Sequence, residues 1–107
     1  MARASGARLV SDASSLPALD GALELAAAGN ETGGEAHNRR FTAPALAVGA
    51  DVSAALVALA HDPQTSGGLL AAVPASDVEA VEADLAAAGV SSWRVGGVET
   101  GDGIALT

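Results

Sequence analysis

Apolar residues recur along the chain in short bursts of two spacings, and these predict an alternation of helices and strands. Met1 to Ser5 is made of helix formers with Arg3 near its end, and Gly6 stands where a helix stops. A single turn is too short to be stable alone, so this stretch reads as the tail of a helix that begins upstream. Leu9 and Val10 make Ala7 to Asp12 a short strand. Leu16, Leu19, Leu23 and Ala26 or Ala27 recur at helical spacing after Ser14, Ser15 and Pro17, and Gly29 closes the pattern. An amphipathic helix is therefore predicted over Pro17 to Ala28. Asn30 to Arg40 breaks the periodicity with Gly33-Gly34, His37, Asn38 and two arginines, and reads as a polar loop. Phe41 to Val48 is apolar but contains Pro44, which fits an edge strand or a packed loop better than a central strand.

Further on, Asp51 or Ser53 is placed to cap a helix carrying Val52, Leu56 and Leu59 on one face. Pro63 disfavours the helical region at Asp62, so that helix should stop near Ala60 or His61. Leu69 to Val73 reads as a strand. Ser76-Asp77-Val78-Glu79 has the spacing of a capping box, and Val78, Val81 and Leu85 form a stripe behind it that ends at Gly89. This predicts a helix over Ser76 to Ala88, with Glu79, Glu82 and Asp84 on its solvated face. Val90 to Val98, with Trp93 and Val95 before Gly96-Gly97, reads as a strand with a bulge. Gly101-Asp102-Gly103 then turns into Ile104-Ala105-Leu106, an arrangement that predicts a closing hairpin. The order β, α, loop, α, β, α, β, β indicates an α/β or α+β sandwich with helices covering a sheet.

Composition narrows the classes of function. The chain has 107 residues, enough for one domain, and its apolar half is dominated by Ala with one Phe, one Trp and no Tyr. A core of closely packed Leu, Val and Ala is expected. The formal charge is −8, from 13 acids against 5 basic residues, all of them Arg. Nucleic acid and anionic membrane both require a basic footprint, so neither is an expected partner. Without cysteine the chain has no disulfide, thiolate ligand or Cys nucleophile, in keeping with the cytoplasm. No apolar run is long enough for a membrane span, and the N-terminus lacks the apolar centre of a signal peptide. There is no Lys for Schiff-base chemistry and no Gly-rich phosphate loop of either common type. His37 and His61, the two histidines, lack ligand spacing and are expected in plain polar or packing roles. No catalytic or metal-binding residue is assigned.

The stretch with the most chemistry is Asp62-Pro63-Gln64-Thr65-Ser66-Gly67-Gly68-Leu69-Leu70. Its glycine pair permits close approach of backbone to a partner group, and Thr65, Ser66 and the free N–H groups offer donors to an anion. The same glycines equally suit a tight helix-to-strand turn with no ligand. In the Gly33 to Arg40 stretch an anion-facing loop and a solvated connection are likewise both open.

The Asp62 to Leu70 run resembles the signature of the C-terminal domain of the selenophosphate synthetases (selenide, water dikinases). Leu16-Pro17 with Gly21-Ala22-Leu23-Glu24-Leu25-Ala26 is similar to that family's helix before its glycine loop. Gly33-Gly34 with Asn38 resembles the loop itself, usually Gly-Gly-Thr-x-x-Asn, and Val95-Gly96 with Val98-Glu99 resembles the family's end. The resemblance covers essentially residues 1–107 as a single C-terminal-type domain that begins inside a helix. It implies the C-terminal domain fold of aminoimidazole ribonucleotide synthetase-like proteins, helices on a mixed, partly ferredoxin-like sheet. It also implies a parent reaction in which ATP, selenide and water give selenophosphate, AMP and phosphate with Mg²⁺. Under it, Asp62, Gln64, Thr65, Ser66, Gly67, Gly68, Gly33, Gly34 and Asn38 lie near nucleotide or phosphate. The implied partners are a second copy, as a homodimer, or a separate ATP-binding domain.

Departures from the family pattern shape the expectation for this chain. The family's reactive Cys or selenocysteine, its essential Lys and most of its metal-binding Asp residues belong to an N-terminal ATP-binding domain outside this sequence. A further Asp motif, Thr-Asp-Val-Thr-Gly-Phe-Gly, would lie shortly before Met1. Glu35 stands where the glycine loop usually has Thr, which disfavours an anion there unless Mg²⁺ or Arg39 and Arg40 offset it. No dikinase activity and no tight ATP or Mg²⁺ binding are therefore expected of the chain alone. A non-catalytic binding or assembly module is the competing reading, and a gene relic without present function is a third.

Overall fold

The computed structural model describes residues 1–64 and 66–107; the expectation for Thr65 falls outside the described residues. The elements run in the order α1 (Ala2–Ser5), β1 (Ala7–Ser11), a 3-10 turn (Ala13–Ser15), α2 (Ala22–Ala27), α3 (Gly33–Thr42) and a second 3-10 turn (Ala43–Ala45). They continue with β2 (Leu46–Val48), α4 (Ala54–His61), α5 (Val78–Ala87), β3 (Gly96–Thr100) and β4 (Ile104–Leu106). The result is an α+β arrangement with a mixed four-stranded sheet.

Several boundaries follow directly from local chemistry. Gly6 adopts a left-handed conformation (φ 57°) and closes α1. Ser53 caps α4 by accepting from the Leu56 N–H at 3.3 Å. Pro63 holds Asp62 in the extended region (φ −61°, ψ 128°), so α4 ends at His61 as its sequence requires.

The strand order is β2-β4-β1-β3. β1 pairs in parallel with β4 (Leu9 opposite Ile104) and antiparallel with β3 (Leu9 opposite Val98), while β4 pairs in parallel with β2. The expected hairpin between the last two strands is therefore split, because β1 lies between them. Four Cα steps from Thr100 to Ile104 reach at most about 14 Å. That suffices to cross two interstrand gaps of about 4.8 Å each, so the turn length permits either pairing. The connection is tied to the inserted strand by the Leu9 N–H, which donates to the Gly103 carbonyl at 3.1 Å. At Gly96 a side chain would overlap the Val10 carbonyl, so the start of β3 tolerates only glycine. β2, with Pro44 just before it, does take the edge position.

Other expectations are corrected. The helix over Pro17 to Ala28 is reduced to Ala22–Ala27. Ser14 and Ser15 donate their hydroxyls to Asp12 at 2.7 and 2.8 Å, so they cap no helix at Pro17. Gly21, at φ 82°, interrupts helical continuity, and Leu19 is left exposed. Val52 precedes α4 instead of belonging to its face. Ser76 donates its hydroxyl to the Asp77 carboxylate at 2.8 Å, so the capping box does not form and α5 starts two residues later than expected. Residues 69–73 form no strand, and Leu69 and Leu70 point into solvent. Trp93 and Val95 lie before β3, which is shorter and later than the predicted strand.

The interior is small. Ala2, Ala13, Ala105 and Leu106 are the buried apolar residues among those described; Ala2 lies in α1, and the other three belong to the first 3-10 turn and β4. The Ala13 N–H donates to the Thr107 carbonyl at 2.8 Å. The expected core of packed Leu and Val side chains is only half-buried, as in α4. Leu19, Phe41, Leu69 and Trp93 are exposed. The total accessible surface is 7482 Å². A compact monomer of this mass would expose about 5,400 Å².

Candidate functional site

The residues expected to form a loop at Asn30 to Arg40 are mostly helix α3, and this helix builds one wall of the candidate site. Thr32 is its cap: its side-chain oxygen accepts from the Glu35 N–H at 3.4 Å. Gly33 and Gly34 occupy the first turn. Two glycines weaken a helix by about 1 kcal/mol each relative to Ala, so the turn needs a compensating reason for them. The close approach of Pro63 to Gly34 supplies one.

Opposite this turn lies the C-terminal end of α4 and the start of the Asp62 to Leu70 stretch. Asn38 Nδ2 donates to the His61 carbonyl at 2.9 Å. That carbonyl is among the last of α4 and has no partner within the helix, so Asn38 satisfies it from the neighbouring element. Thr32 Oγ1 donates to Asp62 Oδ1 over a long 3.4 Å. Pro63 packs on Gly34, leaving no room for a Cβ there. Gly33, Gly34 and Asn38 are thus brought beside Asp62 and Pro63, although about 30 residues separate the two stretches.

Two titratable side chains are buried in the joint between α3 and α4. His61 has Nδ1 2.7 Å from the Val57 carbonyl and Nε2 2.9 Å from Thr42 Oγ1. The carbonyl can only accept, so Nδ1 carries a proton, and the ring ties α4 to α3. This is the packing role expected for a histidine without ligand spacing; His37 is exposed. Glu35 is buried and accepts from Arg39 Nε at 2.7 Å and Nη2 at 2.6 Å. The Glu35 carboxylate is thus turned along the helix onto Arg39, which offsets its charge.

Gln64 N–H donates to the Asp62 carbonyl at 3.0 Å, and the Gln64 side chain lies against Gly67. Asp62, Gln64, Ser66, Gly67 and Gly68 are all exposed. Among the described residues no group of three or more His, Asp or Glu side chains converges as a metal site. Magnesium takes carboxylates together with phosphate oxygens, so Asp62 alone does not compose its site. Two shallow depressions flank Trp93, and neither is lined by α3 or by residues 62–68. Among the described residues no helix is long and apolar enough to cross a membrane.

Fold and site together define an α+β domain whose most distinctive feature is an exposed Asp-Pro-Gln turn docked on the first turn of a glycine-started helix. By sequence, the chain is related to the selenide, water dikinases and corresponds to a part of those proteins. It is 38% identical over 105 residues to the selenide, water dikinase of Nitratidesulfovibrio vulgaris, a match covering 97% of this chain and 30% of that protein. The selenide, water dikinase of Pelobacter propionicus is 40% identical over 92 residues, 86% of this chain and 26% of the relative. That of Clostridium botulinum is 43% identical over 60 residues, 56% of this chain and 17% of the relative. The chain thus spans between 17% and 30% of the length of these relatives. No family model matches it.

Proposed function

We propose that the chain is the C-terminal domain of a selenide, water dikinase-like enzyme, with the C-terminal fold of the aminoimidazole ribonucleotide synthetase-like proteins. Its contribution to the conversion of ATP, selenide and water is the segment Asp62 to Gly68, presented near the nucleotide together with Gly33, Gly34 and Asn38. The observation that carries this reading is the meeting of the two motif stretches through Asn38, Gly34 and Pro63. The sequence match over 97% of the chain supports it. When bound to the complete enzyme, Mg²⁺ and ATP supply the phosphoryl chemistry. The residues present here orient a loop, and no step is assigned to them. The isolated chain is predicted to be inactive, because the nucleophile, Lys and metal carboxylates of the family lie outside it. Incubation with ATP, Mg²⁺ and selenide should give no AMP above background; selenide-dependent AMP formation would overturn the reading.

A second reading is favoured by the exposed apolar side chains. The surface exceeds that of a compact monomer by about 2,000 Å². A partner in an ordinary stable complex covers about 800 Å² per side. An excess of this size fits a module that self-associates as a homodimer or docks with a separate ATP-binding half. Sizing across a range of concentrations tests it: a strictly monomeric, well-folded species at high concentration would count against self-association.

A further inference from the structure

The joint between α3 and the Asp62 segment is unusually intolerant at one atom. An ideal Cβ built on Gly34 would stand 2.5 Å from Pro63 Cγ and 2.9 Å from Pro63 Cβ. Real contacts of that kind are essentially never so short, and a proline ring cannot rotate away. Gly33, one residue earlier in the same turn, has nothing within 4 Å of its ideal Cβ. The two adjacent glycines are thus physically different: one faces open space and the other faces Pro63.

We infer that Gly34 is a positioning residue for the Asp62 to Gly68 segment, acting through Pro63. With no side chain at Gly34, the Pro63 ring seats directly on the first turn of α3. Asn38 holds the His61 carbonyl two residues before Pro63, and Thr32 reaches Asp62 one residue before it. These three contacts fix where the exposed segment leaves α4 and in which direction it starts. This does not depend on what, if anything, the segment binds.

Opposite signs make the inference testable. Helix propensity alone predicts that Gly34→Ala stabilises α3, since Ala is the better helix former. Overpacking against Pro63 predicts the reverse. The full chain should be compared with Gly34→Ala, Gly33→Ala, Pro63→Gly and the Gly34→Ala/Pro63→Gly double variant by amide hydrogen exchange and backbone chemical shifts, since only glycine at 63 removes both the ring and the Cβ that face Gly34. Gly34→Ala should speed exchange of the Asp62 and Gln64 N–H groups by at least about tenfold and shift the Ser66 to Gly68 resonances. Gly33→Ala should do neither. In the Pro63→Gly background, adding Gly34→Ala should change exchange by less than about threefold. A general loss of stability would not be silenced by that one partner change. Should Gly34→Ala alone fail to fold, a folded double variant supports the inference and an unfolded one overturns it. Unchanged exchange and shifts in Gly34→Ala, or an equal effect with and without Pro63, would also overturn it.

Discussion

Replacing Asn38 tests the joint between α3 and α4 through one of the hydrogen bonds that tie the two helices together. Asn38 Nδ2 lies 2.9 Å from the His61 carbonyl, in a partly buried position between the two helices. Asn38→Leu keeps the volume and removes the donor. The net worth of such a bond is about 0.5–1.5 kcal/mol, and a buried carbonyl left without a donor costs about 1–3 kcal/mol. Because Asn38 is half-exposed, water replaces part of the lost bond, so about 1–1.5 kcal/mol is expected in total. For a domain of this size that lowers Tm by about 5–10 °C. Asn38→Asp should cost more at neutral pH, because it sets a carboxylate against a carbonyl oxygen where a donor is needed. Thermal and urea denaturation followed by circular dichroism give both values. Local opening should appear as faster exchange of the Asp62 N–H, which donates to the Leu59 carbonyl at the end of α4. A change in stability of less than about 0.5 kcal/mol for Asn38→Leu, or equal stabilities for the Asp and Leu variants, would refute this role for Asn38.

Three other perturbations probe separate parts of the fold. Glu35→Ala should destabilise the chain by about 1–2 kcal/mol in urea denaturation, since it removes a buried partner of Arg39; Arg39→Ala leaves the buried carboxylate alone and should cost at least as much. Gly96→Ala drives a methyl into the Val10 carbonyl and should separate β3 from β1, with a loss of about 3 kcal/mol or more visible as a collapsed urea midpoint. Acid should weaken two surface contacts. The Ser14 and Ser15 hydroxyls hold the Asp12 carboxyl below its ordinary range, and hydrogen bonding to Arg94 does the same for Glu82. Both groups are lowered in the folded state, so their contribution is present above the unfolded-state values and is lost as pH falls below about 4. Asp12→Asn and Glu82→Gln variants should therefore show a shallower loss of stability on acidification than the parent, and equal slopes would refute the assignment.

Local signals of proline and glycine were legible in the sequence because they act through one or two residues. Gly6 stops α1, and Pro63 stops α4, for reasons contained in their own backbones. Capping was harder to read. Thr32 and Glu35 have the same Ser/Thr-x-x-Glu spacing as Ser76 and Glu79, yet the cap forms at Thr32, where the glycine pair had suggested a loop. At Ser76 the neighbouring Asp77 takes the hydroxyl instead. The split hairpin was not legible, because a three-residue glycine turn spans one strand spacing or two, and only the pairing of β1 decides which. The site was legible as two motifs, but their meeting depends on Pro63 fitting an absent side chain, which no periodicity encodes.

Complementation tests the central claim most directly. A selenide, water dikinase relative such as that of Nitratidesulfovibrio vulgaris can be shortened by removing the part that this chain matches, about 30% of its length. Selenide-dependent AMP formation is then measured for the shortened relative, for this chain and for the two mixed. The account predicts that neither piece alone turns over and that activity returns on mixing. It predicts a weaker return with Asn38→Leu. Turnover by this chain alone, or a mixture in which the two pieces bind and stay inactive, would contradict it.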